Sequence, residues 1–546
     1  MGNRLQCLRF VFTGILLTSF AAAALFAGGT GGCGGDSSGG GGGTAGGGTG
    51  GGTGSDTPVQ GVFLDAPVQG LSFETDTQAG VTDAEGAFLF FPDETVRFFL
   101  GDIDFGEAAG AETLSPFDLA GLEPPTSARD LRLLFNLVRA RRPHPFNRVI
   151  NTAVVLQSLD ADGDPSNGIV LPDGLDALGV GKSVAFDTPD GLDGFVHNPG
   201  FRALIRDGAA AGLWSSGPLL RTPAAAMTHL YDGLGLTPVI LREKTTFSDS
   251  NGDGTDDGRV DLLYDEKGLP LGFQVDGNLD GTPDAIFSAH FDEQGRFLGV
   301  EADTNGDGTP ESISKEFYDA FGQLIRSESD SNADGTADSV TSREYDDLGN
   351  LISVKADTNA DGTPDQITSQ TFDALNRVTF VETDVDANGT VDVSAHLFHD
   401  TRGNLIRTET DTNNDGAVDS VSVTTYNGDD QPIRNEFDTD NNGVPNSIAV
   451  FQYEGGYLVR QDNDTDADGT VNFSIFQEYD ELGNRVLTAF DNDGNGTVDQ
   501  KFETEIDADG YPFRTKADTN NDGVIESGTR IEHEPGTWFD FFEAET

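Results

Sequence analysis

The sequence predicts a mainly β protein: a small N-terminal β-sandwich, a helical middle domain, and a long antiparallel array of β-hairpins coiled as a spiral or solenoid. Three observations carry this. A nine-residue acidic loop occurs eleven times between Asp249 and Glu526, each step being 27 residues except one of 26 between Asp438 and Asp464. The eighteen residues left in each unit read as strand, turn, strand. Ahead of the array, a Gly-rich tract, a Phe-rich alternating tract and a tract of helical period follow one another. A closed β-propeller with two units per blade is the alternative arrangement of the array.

Composition bounds the function. The chain has 546 residues and a formal charge of −61, with a pI near 4.1. Such a chain repels nucleic acid and anionic membrane surfaces and attracts cations, divalent ones where carboxylates cluster. No nucleic-acid partner is expected. The only cysteines, Cys7 and Cys33, lie outside the tracts that read as folded, so no disulfide framework is available. An exported, loop-rich array without disulfides needs another staple, and metal ions can serve.

Residues 1–33 read as an export signal, with Arg4 and Arg9, then an uncharged apolar run over 10–27. The run is short for a membrane span. Thr30-Gly31-Gly32-Cys33-Gly34 resembles a bacterial lipoprotein signal, which implies lipidation of Cys33, although a Leu or Val is more usual three residues before the cysteine. Ordinary cleavage near Ala27 is the alternative. Residues 34–57 are nearly all Gly, Ser and Thr, a flexible tether.

Residues 58–118 carry strand-like runs at Val59, Val62 to Leu64, Leu71 to Thr75, Phe88 to Phe91 and Thr95 to Phe99, with a turn at Thr82-Asp83-Ala-Glu85-Gly86. The pattern Asp65-Ala-Pro67-Val68-Gln-Gly70, then Gly80 to Phe88, resembles carboxypeptidase-regulatory or transthyretin-like surface modules, which implies a stalk or adhesion module without catalytic residues.

Residues 119–245 read as helical. Thr126 or Ser127 caps a helix running to about Arg141, with Leu131, Leu134, Phe135 and Val138 as one apolar stripe. Pro143 and Pro145 break it. A second helix spans about 147–159 and carries Ile150, Val154 and Leu156, while Asn198-Pro199 and Thr222-Pro223 start others. Arg139, Arg141 and Arg142 read as a solvated helix end. In this tract Asp160-Ala-Asp162-Gly163-Asp164-Pro-Ser-Asn167-Gly168 has alternating carboxylates that suit calcium, but its Gly falls at position four and not six. An acidic loop capping its neighbours is the plainer reading.

The array, residues 246–546, holds the chemistry. Calcium takes six to eight oxygen ligands, and a short loop supplies them if alternate side chains point inward and the chain turns sharply. Position 1 is Asp249, Asp276, Asp303, Asp330, Asp357, Asp384, Asp411, Asp438, Asp464, Asp491 and Asp518. Position 3 is Asn251, Asn278, Asn305, Asn332, Asn359, Asp386, Asn413, Asp440, Asp466, Asp493 and Asn520. Position 5 is Asp253, Asp280, Asp307, Asp334, Asp361, Asn388, Asp415, Asn442, Asp468, Asn495 and Asp522. Position 9 is Asp257, Asp284, Glu311, Asp338, Asp365, Asp392, Asp419, Asn446, Asn472, Asp499 and Glu526. Position 6 is Gly in all eleven copies, which permits the positive φ that brings the chain back around an ion. Turn-making alone explains Asp, Asn and Gly, but not oxygen-bearing side chains at 1, 3, 5 and 9 together.

This pattern resembles the first half of an EF-hand loop but lacks the glutamate at position 12; Val260, Phe287, Ser314, Ala395 and Phe502 are among the residues there. It is closer to the thrombospondin type 3 repeat and the calcium loop of integrin-type propeller blades, which implies Ca2+, up to about eleven ions, with position 9 as the last carboxylate. Sites with an amide at position 9 (Asn446, Asn472) or position 5 (Asn388, Asn442, Asn495) should be weaker, and the loop opened by Asp438 weakest. Full occupancy would place 22 positive charges against −61, leaving −39.

Between loops, Tyr345-Asp346-Asp-Leu-Gly349-Asn350 recurs as Tyr264-Asp265 with Gly268, Phe291-Asp292 with Gly295, Tyr318-Asp319 with Gly322, and Tyr479-Asp480 with Gly483-Asn484. This resembles the tyrosine–aspartate repeats of Rhs-type shell proteins, which implies one β-hairpin per repeat. Asn376 and Asp430 replace the Gly, His399 the Tyr, and Ile506-Asp507 the Tyr-Asp pair, and no toxin or protease domain accompanies them. Ile325, Ile352, Ile406, Ile433, Val459 and Val486 share one position and are expected to pack as a ladder. Residues 538–542, aromatic, should cap the last unit.

The expected function is therefore a non-enzymatic, calcium-stabilised lipoprotein of the bacterial outer membrane or cell surface, serving adhesion, a stalk or a matrix, with a surface glycan or protein as ligand. A carbohydrate-binding or enzyme-accessory role is the alternative. No His-Glu-x-x-His, Gly-x-Ser-x-Gly or phosphate loop is present, so no catalytic residue is assigned.

Overall fold

The computed structural model describes residues 57–139, 144–188, 198–214, 220–265, 268–292, 296–319 and 322–543. The signal, most of the tether, Cys7, Cys33, Arg141, Arg142, Pro143 and Gly295 lie outside the described residues. The chain forms two compact units, one of residues 126–139 and 238–543, the other of 57–125 and 144–237 as far as they are described.

The smaller unit opens with two sheets. Val59–Phe63 pairs antiparallel with Ala87–Phe90 and parallel with Thr113–Leu114. Ala79–Val81, Ser72–Glu74, Thr95–Leu100 and Ile103–Ala109 make a four-stranded sheet in that order. Phe63, Phe73, Phe88 and Phe98 are buried in the core, with Phe88 and Phe98 edge to face at 5.3 Å. The expected turn is present: Asp83 Oδ1 accepts the N–H of Glu85 at 3.1 Å and of Ala87 at 2.8 Å. Helices Pro145–Ser158, Pro199–Ala210 and Pro223–Gly233 follow, each with Pro in its first turn and capped by His144, Asn198 and Thr222 side chains. Ile150, Val154 and Leu156 are buried as expected.

The larger unit is a closed antiparallel barrel of 22 strands, from Leu241–Asp249 to Ser527–Pro535, each pairing with its neighbours in sequence. The hairpins expected from the repeat are present, but the array is not an open spiral. Leu241–Asp249, which precedes the first loop, pairs antiparallel with Ser527–Pro535 and closes the ring. Closure removes both exposed edges, which an open coil would leave as pairing templates. At ~4.8 Å per strand the ring is about 105 Å around and at least ~34 Å across before strand tilt widens it. A propeller's radial blades are not seen. Because loops and turns alternate along an antiparallel chain, all eleven acidic loops lie on one rim and the Tyr-Asp turns on the other.

Each hairpin has a bulge. Phe317 pairs with Arg326 and Tyr318 with Leu324, so Ile325 has no partner across the strand. Ile352, Ile406, Ile433, Val459 and Val486 occupy the same unpaired position. The expected ladder is thus a row of bulge residues, Ile325 being 36 % exposed. Tyrosine hydroxyls tie neighbouring hairpins: Tyr318 donates to the Phe297 carbonyl at 2.8 Å, Tyr345 to Leu324 at 2.8 Å and Tyr426 to Leu405 at 3.0 Å. The predicted helix appears as Ala128–Arg139, with Ser127 Oγ accepting the Asp130 N–H at 3.1 Å and donating to Asp130 Oδ2 at 2.7 Å, and Leu131, Leu134, Phe135 and Val138 buried. It sits on the Tyr-Asp rim, where Asn136 donates to the Leu482 carbonyl at 2.9 Å and Phe135 meets Phe541 of the terminal helix Trp538–Glu543.

Candidate metal centre

Each acidic loop connects the second strand of one hairpin to the first strand of the next. In the loop opened by Asp330, Asp330 Oδ2 accepts the Gly335 N–H at 2.8 Å and Oδ1 the Asp334 N–H at 3.2 Å. Asn332 Oδ1 accepts the Asp334 N–H at 2.9 Å, and Asp334 Oδ1 the Thr336 N–H at 2.9 Å. Asp338 Oδ2 accepts the Ser331 N–H at 2.8 Å, closing the loop from position 9 to position 2. The backbone thus folds back around the position 1 carboxylate, with position 9 tied to position 2.

Position 1 is where burial concentrates. Asp276, Asp303, Asp330, Asp384, Asp411, Asp438, Asp464, Asp491 and Asp518 are between 2 and 8 % exposed, and Asp249 and Asp357 are half-buried. A repeated buried carboxylate needs charge or hydrogen-bond compensation. Positions 3 and 5 are exposed and position 9 is half-buried in all loops but one, where Asp284 is exposed, which leaves one side of the loop open to solvent.

Five loops bring three carboxylates together with oxygens within 4.8 Å of one another: Asp303, Asp307 and Glu311; Asp384, Asp386 and Asp392; Asp464, Asp466 and Asp468; Asp491, Asp493 and Asp499; Asp518, Asp522 and Glu526. The other six do not reach that spacing among the described residues, and side-chain length explains why. Five of them (opened by Asp249, Asp276, Asp330, Asp357 and Asp411) pair Asn at position 3 with the shorter Asp at position 9, whereas Glu311 and Glu526 have an extra methylene. The sixth, opened by Asp438, has only two carboxylates, because Asn442 and Asn446 hold positions 5 and 9. In the loops opened by Asp384 and Asp491, Asp386 and Asp493 restore the charge that Asn388 and Asn495 remove. All-oxygen donors of this kind suit a hard cation such as calcium.

Hydrogen bonds from position 2 hold the position 9 carboxyl below its ordinary range at Asp257, Asp338, Asp365 and Asp419, through Ser250, Ser331, Thr358 and Thr412. These groups stay ionised further into acid than an unbonded carboxylate would.

Gly at position 6 has φ between 83° and 91° in all eleven loops, as the sequence predicts. A second left-handed residue was not anticipated. Position 4 has φ between 49° and 71° throughout, on Gly252, Leu279, Gly306, Ala333, Ala360, Ala387, Asn414, Asn441, Ala467, Gly494 and Asn521. The preference for Gly and Asn there was the available signal. Position 4 also reaches the preceding loop. Asn414, Asn441 and Asn521 donate to the carbonyls of Val391, Val418 and Val498 at 2.8, 2.8 and 2.7 Å. At Gly252, Gly306 and Gly494 a Cβ would fall 1.9–2.3 Å from the carbonyls of Ile525, Pro283 and Val471. The Gly252–Ile525 approach joins the first loop to the last.

No protein-family model matches the chain, and no curated protein matches it. Among solved structures, the Photorhabdus luminescens Tc holotoxin pore is similar at a TM-score of 0.25 and 16 % identity, over 50 % of this chain and 16 % of that one. The TcdB2-TccC3-Cdc42 structure gives 0.24 and 18 %, over 51 % and 15 %. A porin-like protein from Bacteroides uniformis gives 0.22 and 9 %, over 54 % and 98 %. The chain spans about 16 % of the length of the toxin chain it matches first, and likenesses this low carry nothing about function.

Proposed function

We propose that the barrel is a non-enzymatic, calcium-loaded display scaffold of an exported lipoprotein. Cys33 carries the lipid, the Gly-rich tract is the tether, and the folded units stand off a bacterial outer membrane or cell surface in an adhesive, stalk or matrix role. The observation that supports this best is the buried position 1 aspartate repeated around one rim, facing acids and amides at positions 3, 5 and 9. Calcium there offsets the self-repulsion of a chain of charge −61 and fixes the loops that join every hairpin to the next.

A barrel facing water on both sides fits the strands better than one facing lipid. Membrane-spanning strands need about 9–11 residues and an apolar outer band. Most strands here have seven, and adjacent residues such as Lys315 and Glu316, which face opposite sides of the sheet, are both charged. Both faces then display polar side chains to a glycan or protein ligand.

Chelation is the direct test. Thermal unfolding and limited proteolysis of the full chain should show a looser barrel in chelator than in millimolar calcium. Identical melting and cleavage in both would overturn the calcium role. A glycan array read with and without chelator separates adhesion from a purely structural role.

A further inference from the structure

A further acidic loop lies outside the ring, in the smaller unit. The loop from Asp160 to Gly168 joins helix Pro145–Ser158 to strand Ile169–Val170. It starts as the ring loops start. Carboxylates stand at its first, third and fifth positions, and its fourth residue, Gly163, has φ +76°. The Asp164 N–H donates to Asp162 Oδ1 at 2.9 Å, as the fifth N–H donates to the third side chain in the loop opened by Asp330.

Then the two diverge. In the ring, the Gly N–H at position 6 donates to Oδ2 of the first aspartate at 2.7–3.0 Å in every copy. Here position 6 is Pro165, which has no N–H to give. Asp160 is only 1 % exposed. Its Oδ1 accepts the Val170 N–H at 2.8 Å, but its Oδ2 has no hydrogen-bond partner. Asp162 and Asp164 are exposed, Asp162 Oδ2 accepting from Asn167 Nδ2 at 3.0 Å and Asp164 Oδ1 from the Ser166 hydroxyl at 2.6 Å. Arg221 lies within Coulombic reach of Asp160 and Asp164, yet its own Nε is also without a partner, so it does not fill the gap.

We propose that this loop binds a hard divalent cation of calcium's class, with Asp160 Oδ2 as the buried ligand, the exposed Asp162 and Asp164 turning in to it, and water completing the shell; unlike the trios of five ring loops, its three carboxylates do not stand within 4.8 Å of one another before the ion binds. A buried carboxylate oxygen without a donor is costly, and a cation is the partner its chemistry calls for. This site does not depend on the ring binding calcium.

The tryptophans make the test selective. Trp214 Nε1 donates to the Asp160 carbonyl at 3.1 Å, which sets an indole against this loop. The chain has two tryptophans, and the other is Trp538 in the terminal helix. Terbium takes calcium's oxygen ligands and emits when a nearby indole is excited. Titration of the full chain with terbium, excited at the red edge of tryptophan absorption, should give sensitised emission that calcium competes away. Emission should vanish in Trp214→Phe and persist in Trp538→Phe and in the ring variant Asp411→Asn. The exposed pair Asp162→Asn and Asp164→Asn, which leaves the buried Asp160 in place, should each weaken terbium by roughly tenfold or more, since affinity follows ligand charge count. Absent emission, or emission unchanged by both substitutions, would overturn the site.

Discussion

Position 4 of each ring loop holds its residue in the left-handed region whatever that residue is. Ala333, Ala360, Ala387 and Ala467 bear that strain with φ of 50–53°. The left-handed conformation costs an L-residue about 1–2 kcal/mol. Ala360→Gly should therefore raise the calcium-free melting temperature, read by calorimetry in chelator. Where Asn stands at position 4 the side chain earns its place by bonding across loops, so Asn441→Ala should cost about 1 kcal/mol, the usual worth of one such hydrogen bond. At the same scale, Asn446→Asp supplies the loop opened by Asp438 with a third carboxylate, and the weakest phase of a calcium titration should tighten. The ring ligands were readable because side-chain oxygens recur at fixed offsets. Position 4 was less legible, because Ala and Leu in five copies conceal the left-handed requirement that Gly and Asn signal in the other six.

A titrating pair in the smaller unit gives a pH prediction. Burial pushes Asp65 up to about 6, against the hydrogen bonds and charge of His229 and Gln157. Burial alone would lower His229, but its bond to Asp65, the Asp65 charge and the Pro165 carbonyl together outweigh that, and its net shift is upward. Both groups hold protons more tightly folded than unfolded. Their stabilisation is complete below the unfolded values, about 4 for Asp and 6.5 for His, and is lost as pH rises through the folded ones. Denaturant midpoints followed by Trp214 emission should fall from about pH 4 to above pH 7. Asp65→Asn should flatten the lower part of that decline.

At the scale of the element, one hairpin geometry accommodates several sequences. The Tyr-Asp turn needs a left-handed residue, supplied by Gly349 at φ +81° and Gly483 at +80°. Asn376 and Asp430, which depart from the repeat, adopt +60° and +58° and belong to the few residue types that tolerate it. Gly349→Val should destabilise the barrel by at least ~1 kcal/mol and Asn376→Gly should be close to neutral, both measured by denaturant unfolding. The single 26-residue step also has a structural cause. Its hairpin turns on Gly455 and Gly456, φ +55° and +84°, a tight two-residue connection one residue shorter than the others. Strand and turn positions were legible from period and composition. The bulge was not, because Ile325 and its equivalents read as ordinary strand residues until the register skips them.

At the scale of the whole molecule, repetition told the number of hairpins but not their closure. Curvature follows from small twists at each strand pair, which no single repeat encodes. The seam carries its own reinforcement: Arg242 pairs with Glu534 at 2.8 Å and lies over the Tyr264 ring at 3.6 Å, and Arg530 bonds Asp256 at 2.8 Å. Because position 4 links each of several loops to its predecessor, and Gly252 meets Ile525 at the seam, filling one loop should favour the next around a complete circle. The most direct measurement is a calorimetric calcium titration of the full chain after exhaustive chelation. A stoichiometry of about eleven is expected for the ring, one more if the loop at Asp160 also fills, with the loop opened by Asp438 last. A stoichiometry near zero would contradict it.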